Sequence, residues 1–260
     1  MPFAGFIDRN LRAVLAALAL VSGFGSSAMA QGLSAEQRKA VEAIVRDVMV
    51  KNPEIIQDAL AELEKRNAQA QSEAQVQALL AEKAILYDSP RHVVAGNPLG
   101  DVTLVEFFDY NCGYCKRSLE DLRALVAVDP KLKVILKDFP ILGPDSVEAS
   151  RVAIAAKNQL KPDKYWDFHI KLMSQRGKAN GEKAIEVAKE VGADVARLRK
   201  DMESAETKAA IAETVALGDR LNLTGTPAFV LANEVVFGAV GTEALKAKIA
   251  AVRQCGKTSC

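Results

Sequence analysis

VTLVEFFDYNCGYC, residues Val102 to Cys115, is the stretch on which the reading of this chain turns. Val102 to Phe108 is a nearly continuous apolar run, the pattern of a strand buried on both faces. Tyr110 and Asn111 then turn the chain into a helix that runs to about Val126. Cys112-Gly113-Tyr114-Cys115 therefore falls where a buried strand hands over to a helix N-terminus. A thiolate there faces unpaired backbone N–H groups and the positive end of the helix dipole, which lowers its pKa. Lys116 and Arg117 add positive charge next door. Cys115, Leu119, Leu122 and Val126 share one helical stripe, so Cys115 is expected to point inward and Cys112 to stay exposed. That asymmetry assigns roles: Cys112 attacks and forms a mixed disulfide, and Cys115 resolves it. A bare CxxC is also half a zinc site or a structural disulfide. The other zinc half is missing, since there is no second CxxC and neither His92 nor His169 lies near in sequence.

Outward from this stretch the pattern stays mixed. His92 to Ala95 and Lys133 to Phe139 read as further strands, the latter closed by Pro140 and Gly143-Pro144. A helical block spans about Ser146 to Leu221. Ala228 to Leu231 and Val235 to Phe237 read as a hairpin turning at Ala232-Asn233-Glu234, and Thr242 begins a last helix. Parallel and antiparallel parts combine, so the class is α/β.

Residues 33 to 89 are helical in every signal. Ser34 with Gln37 forms a capping box, and Val41, Ile44, Val45 and Val48 share a face. Asn52-Pro53 reads as N-cap and first position of a second helix. Ile56, Leu60, Leu63, Asn67, Ala70 and Ala74 then alternate spacings of four and three, a coiled-coil seam of about three heptads with Asn67 as a polar register-setter. Such a segment cannot bury its stripe alone. It either folds back on the chain or pairs with copies of itself, as a dimer or a trimer through residues 33–89. Before it, Arg9 and Arg12 precede the apolar run Ala13 to Val21 and the small residues Ala28-Met29-Ala30. This is the pattern of a cleaved signal peptide over 1–30, with an uncut anchor as the alternative. Cleavage leaves Gln31 first, removes Asp8, Arg9 and Arg12, and makes the remaining chain formally neutral. No later stretch is apolar enough to span a membrane.

Two paired motifs carry a resemblance. VEFFDYNCGYC with its amphipathic helix, and TGTP (Thr224 to Pro227) before the last hairpin, resemble a thioredoxin-fold disulfide oxidoreductase. The intervening helical block is similar to that of the DsbA family, and the resemblance covers about Arg91 to Val252. It implies a thioredoxin fold with a DsbA-like helical insertion, preceded by an all-α stalk. The domains would be a signal peptide 1–30, a stalk 31–89, a catalytic domain 90–254 with insertion 145–221, and a tail 255–260. It further implies that Pro227 is cis and faces the cysteines, and that Thr226 offers backbone hydrogen bonds to a bound peptide. Glu106 takes the place of the family's buried acid. A carboxylate on VTLVEFF has its pKa raised if buried, and can then accept the proton as Cys115 attacks; the alternative is a solvated sheet edge. Lys137 is a possible partner for it, or a surface residue. The apolar surface around Cys112, Tyr114 and Pro227 is the expected client contact.

The departures from the DsbA pattern matter as much. Strong oxidases of that family carry Pro-His between the cysteines, and this chain carries Gly-Tyr, which points to a milder oxidant. Gly-Tyr with Thr before the proline resembles the isomerase DsbC, and stalk plus body together resemble the ScsC group. The resulting expectation is an oligomeric periplasmic disulfide isomerase or reductase. It would act on misfolded or reduced exported proteins, be kept reduced by a membrane thiol reductase, and need no cofactor beyond its own redox-active Cys112–Cys115 pair. The alternatives are a monomeric thiol oxidase, or a copper-tolerance protein binding Cu(I) at Cys112 and Cys115, since paired thiolates suit a soft ion.

The rest of the composition narrows the field. Of 260 residues, 34 are Lys or Arg and 33 Asp or Glu, with no basic stripe for nucleic acid. Two histidines exclude a histidine-rich metal centre. Cys255 and Cys260 read as a small structural disulfide, or else as a regulatory or metal-binding pair. Tyr165, Trp166 and Phe168 read as core, and His169 as structural.

Overall fold

The computed structural model describes residues 33–260. The signal segment and the expected new N-terminus Gln31 lie outside the described residues. The chain divides into two compact units, Met1–Lys65 and Arg66–Cys260.

In the first unit, helix α1 (Ala35–Lys51) starts on the expected capping box. Ser34 Oγ accepts from Gln37 N at 3.2 Å, and Gln37 Oε1 accepts from Ser34 N at 2.9 Å. No residue of α1 is buried, and Val41, Ile44, Val45 and Val48 all face out. Asn52 behaves differently from expectation. It caps the end of α1, with both its backbone N–H and its Nδ2 donating to Val48 O, and the next helix begins at Glu54 rather than at Pro53. That helix, α2 (Glu54–Ala81), carries the seam; Ile56, Leu60 and Leu63 are exposed.

The division falls inside α2, so the segment read as a stalk to residue 89 is shared between the units. Leu79, and Leu86 on the short helix α3 (Lys83–Tyr87), are buried with Val105, Phe107, Ile135 and Leu217 in the core of the second unit. Polar contacts fasten the same stretch. Arg220 donates to Glu82 at 2.6 Å, Lys137 Nζ donates to Ile85 O at 2.6 Å, and Arg91 pairs with Glu206 and Glu213.

The second unit is built on a five-stranded sheet of order β1-β3-β2-β4-β5. The strands are β1 (Val93–Gly96), β2 (Val102–Phe108), β3 (Leu132–Asp138), β4 (Ala228–Leu231) and β5 (Glu234–Phe237). Only β2 and β3 pair in parallel; every other neighbour is antiparallel. The apolar run of β2 reads as it does because both faces are covered. Leu104 and Phe108 pack into the larger core, and Val105 and Phe107 into the smaller one that holds Leu79 and Leu86.

The larger core takes in α4 (Gly113–Val128), the first four helices of the helical block and α10 (Thr242–Cys255), while the block's last helix gives Leu217 to the smaller core. The block comprises α5 (Pro144–Lys157), α6 (Pro162–Met173), α7 (Gly181–Glu190), α8 (Val195–Asp201) and α9 (Ala205–Arg220). Tyr165 and Phe168 are buried in it, and Trp166 stacks on His169 with ring centroids 5.4 Å apart. Past α10, Gly256 takes the left-handed conformation (φ 76°) that ends the helix, and Cys255 is bonded to Cys260. Mixed sheet, inserted helices and an N-terminal helical region give the α/β, DsbA-like thioredoxin fold that the sequence resembles.

Candidate active site at the Cys112–Cys115 turn

The turn between β2 and α4 is held by two polar residues just before the cysteines. Asp109 is fully buried, and its carboxylate accepts from Asn111 N (2.8 Å), Ser146 Oγ (2.7 Å) and Leu142 N (3.0 Å). Its carbonyl accepts from Cys112 N at 3.0 Å. Asn111 exchanges two bonds with Ala179: Nδ2 donates to Ala179 O at 2.9 Å, and Ala179 N donates to Oδ1 at 2.7 Å. Both the sheet and the helical block therefore fix where Cys112 sits.

Cys112 is the N-cap of α4, its sulfur accepting from Cys115 N at 3.4 Å. Its pKa is lowered to about 5. The hydrogen bond from the Cys115 thiol contributes most, and backbone N–H groups at the helix start add to it against partial burial. The expectation that Cys112 stays exposed is corrected: it is only 6% exposed. The cover is the Thr226–Pro227 segment, whose peptide bond is cis and whose Thr226 O accepts from the Cys112 thiol at 3.1 Å. Cys115 is 1% exposed, and its thiol is pushed far up, first by burial, then by its bond to Cys112 and the Glu106 charge.

Glu106 is buried beneath this pair. Its pKa is raised to about 8 by burial, against a hydrogen bond from Ser118. Ser118 Oγ lies 3.0 Å from Glu106 Oε1 and 3.1 Å from Cys115 O, so one hydroxyl links the acid to the Cys115 backbone. Lys137 does not join them. In the β2–β3 register Glu106 faces Leu136 and Phe107 faces Lys137, which puts Lys137 on the opposite side of the sheet with Ile85. It is buried rather than at the surface, and burial lowers its pKa to about 8. Tyr114 is 58% exposed beside the cysteines, with the Arg117 guanidinium 4.4 Å above its ring.

Sequence reasoning passed over Asp109, Asn111 and Ser118. Asp109 and Asn111 had a usable signal, since Asx side chains before a helix commonly bind local backbone. Ser118 lies one turn after Cys115, on the inward stripe. Tyr110 and His169 meet at 3.2 Å behind the turn, packed on Phe108, and burial pushes His169 down to about 3. Among the described residues no cluster of three or more His, Cys, Asp or Glu side chains is placed to hold a metal, and no helix is long and apolar enough to cross a membrane.

The DSBA-like thioredoxin domain family matches residues 103–250, and the copper resistance protein ScsC N-terminal domain matches residues 37–70. A thioredoxin-like oxidoreductase from Silicibacter pomeroyi is 42% identical, covers 66% of this chain and 98% of its own, and superposes with a TM-score of 0.63. ScsC from Proteus mirabilis is 30% identical over 83% of this chain and 94% of its own, with a TM-score of 0.60. A curated relative, the Na(+)/H(+) antiporter NhaA 1 of Salinispora arenicola, is 26% identical over 164 residues, 62% of this chain. The chain spans about a quarter of the length of the curated relatives it matches. It belongs to the DSBA-like thioredoxin domain family, with an ScsC-type N-terminal segment.

Proposed function

We propose that this family member is an oligomeric, periplasmic disulfide isomerase or reductase acting through Cys112 and Cys115. The observation that carries the reading is the unequal pair of sulfurs. Cys112, lowered to about 5, is a thiolate at neutral pH, while Cys115 is buried and protonated. The Cys112 thiolate attacks one sulfur of a client disulfide, forms a mixed disulfide and expels the client's other sulfur as a thiolate. In isomerisation that freed thiolate attacks elsewhere in the client, and Cys112 leaves unchanged. In reduction Cys115 gives its proton to Glu106 in its ionised form, the minor form at neutral pH, and attacks Cys112, forming Cys112–Cys115 and releasing the reduced client. Thr226, beside Pro227, offers backbone to an extended client, and Tyr114 offers an exposed ring.

Oligomerisation through the N-terminal helices is supported by the seam at Ile56, Leu60 and Leu63, which the described residues leave uncovered. Several sites on one scaffold raise the effective concentration at a misfolded client. Export is supported by the 1–30 pattern, and a membrane thiol reductase would return Cys112–Cys115 to the dithiol. The test is reactivation of scrambled ribonuclease by the reduced chain from Gln31, against one starting at Arg66. Reactivation by the longer chain alone supports the isomerase. Oxidation of reduced ribonuclease by both, with reactivation by neither, makes the protein a thiol oxidase.

The match to the ScsC copper resistance domain favours one second property, Cu(I) binding at Cys112 and Cys115. Two adjacent sulfurs are a donor set suited to this ion, although Cu(I) must displace the firmly held Cys115 proton. Copper titration of the reduced protein and of Cys112→Ser tests it; equal uptake by both sinks it.

A further inference from the structure

The two sides of the cysteine turn differ in charge. On the cis-proline side, Leu221 to Thr242 contains one charged residue, Glu234, and presents Phe237 and Val240 to solvent. On the helical-block side four cationic residues, Lys116, Arg117, Arg176 and Lys183, gather around one loop. Lys116 Nζ donates to Gln175 O at 2.6 Å and to Gly177 O at 3.2 Å, spanning Arg176. Lys183 Nζ donates to Arg176 O at 3.1 Å, and Arg117 lies over Tyr114. The Asn111–Ala179 bonds tie the same loop to the residue before Cys112.

No ion pair to these cations is seen among the described residues, and several nearby acids are engaged elsewhere. Glu120 pairs with Arg123, Asp145 with Lys178, and Glu182 with Arg199, while Glu148 accepts from Gly181 N. Burial lowers the Lys116 pKa and the Lys183 charge lowers it further, a sign that the two ammonium groups repel. Like charges held together without counter-ions beside a reacting sulfur attract an anionic partner and repel a cationic one.

We propose that Lys116, Arg117, Arg176 and Lys183 form a docking rim for acidic polypeptide segments, so that client cysteines flanked by Asp or Glu reach Cys112 ahead of others. The inference rests on the exchange reading of Cys112 and names its substrate class. A thiolate by itself would repel an acidic client, so a preference for acid has to come from the rim.

The experiment uses the reduced full chain and three peptides of equal length. Each has one cysteine held as a mixed disulfide with 5-thio-2-nitrobenzoate, flanked by Glu, Gln or Lys. Cys112 attacks the peptide sulfur and expels the coloured aryl thiolate; Cys115 then attacks Cys112, releasing the peptide thiol and leaving the protein disulfide. At low salt the Glu peptide is expected to react about tenfold faster than the Lys peptide, the ratio closing as salt approaches about 1 M. Arg176→Glu with Lys183→Glu reverses the order. Arg176→Gln with Lys183→Gln levels it, each variant's Glu and Lys peptide rates being read against its own Gln peptide rate. Equal rates for the three peptides, or a Glu preference that survives in the Gln variant, overturn the rim while the exchange reading stands. No colour release from any peptide overturns both.

Discussion

Helices α1 and α4 carry the same kind of apolar stripe and meet opposite fates. On α4, Leu119, Leu122 and Leu125 are buried against the sheet. On α1, Val41, Ile44, Val45 and Val48 are equally periodic and nothing in the described chain covers them. Periodicity states that a face wants cover and is silent about who supplies it. In the catalytic unit the chain supplies its own, and can afford a buried acid and a buried thiol within it. In the N-terminal unit the apolar face is exposed among the described residues.

The largest effects belong to the cysteines. Cys112→Ser is expected to lower exchange by at least about a thousandfold, because the attacking atom is gone. Cys115→Ser leaves attack intact and lets the mixed disulfide accumulate, visible as the summed mass of protein and client. Iodoacetamide labelling of Cys112 should rise with a midpoint near pH 5, against about 9 for an ordinary thiol. The sign for stability follows. A depressed thiol pKa stabilises the reduced fold most fully above the unfolded value, and that stability is lost as pH falls toward 5. A labelling midpoint near 9 would end the assignment of roles.

Glu106 comes next, with the opposite sign. Its carboxyl is raised from 4.5 to about 8, so it favours the fold at low pH and costs stability as pH climbs through that window. Glu106→Gln keeps the shape and removes the titration. It is expected to stabilise the reduced protein by about 2 kcal/mol at pH 8. The same change should slow release of the mixed disulfide by about a hundredfold, because the proton acceptor is lost. Urea unfolding at pH 5 and pH 8 separates the two effects. A variant less stable at both would show that the Ser118 bond outweighs burial.

What the sequence displayed, and what it hid, follows the distance over which each feature is decided. Strand β2 was legible to the residue because seven successive side chains carry the message locally. So was the inward turn of Cys115. The burial of Cys112 was not, because its cover, Thr226, lies 114 residues away. Lys137 was ambiguous until the β2–β3 register set it on the face opposite Glu106. Asn52 stands between two helices that could each use its side chain, and no local pattern says which one will. Nor does composition mark the division at Lys65 and Arg66, since α2 runs through it with the same Ala, Gln and Glu content. Leu79 and Leu86, further along, are buried in the core of the second unit.

A smaller effect tests the uncovered seam. Ile56→Asp with Leu60→Asp and Leu63→Asp should reduce the molar mass in solution to that of one chain. Ribonuclease reactivation is expected to fall about tenfold, while the rate of a single exchange stays within about twofold. A variant that remains oligomeric would place the association elsewhere. One that becomes a single chain yet still reactivates ribonuclease would separate assembly from function.

The smallest effect is expected at Cys255 and Cys260. Their ring closes a short loop, for which chain entropy alone gives about 2 kcal/mol. The ring holds only the tail past α10, where Thr258 is the one buried residue, so the realised cost should be about 1 kcal/mol, or 2–4 °C in Tm. Exchange should be untouched. Cys112 begins the sixteen-residue helix α4, whereas Arg253, two residues before Cys255, pairs with Asp129 at its far end. A helix of that length separates its ends by about 24 Å. Replacing both cysteines with Ser and measuring Tm beside peptide exchange checks both halves. A loss of exchange would mean that this distant pair takes part in the redox cycle.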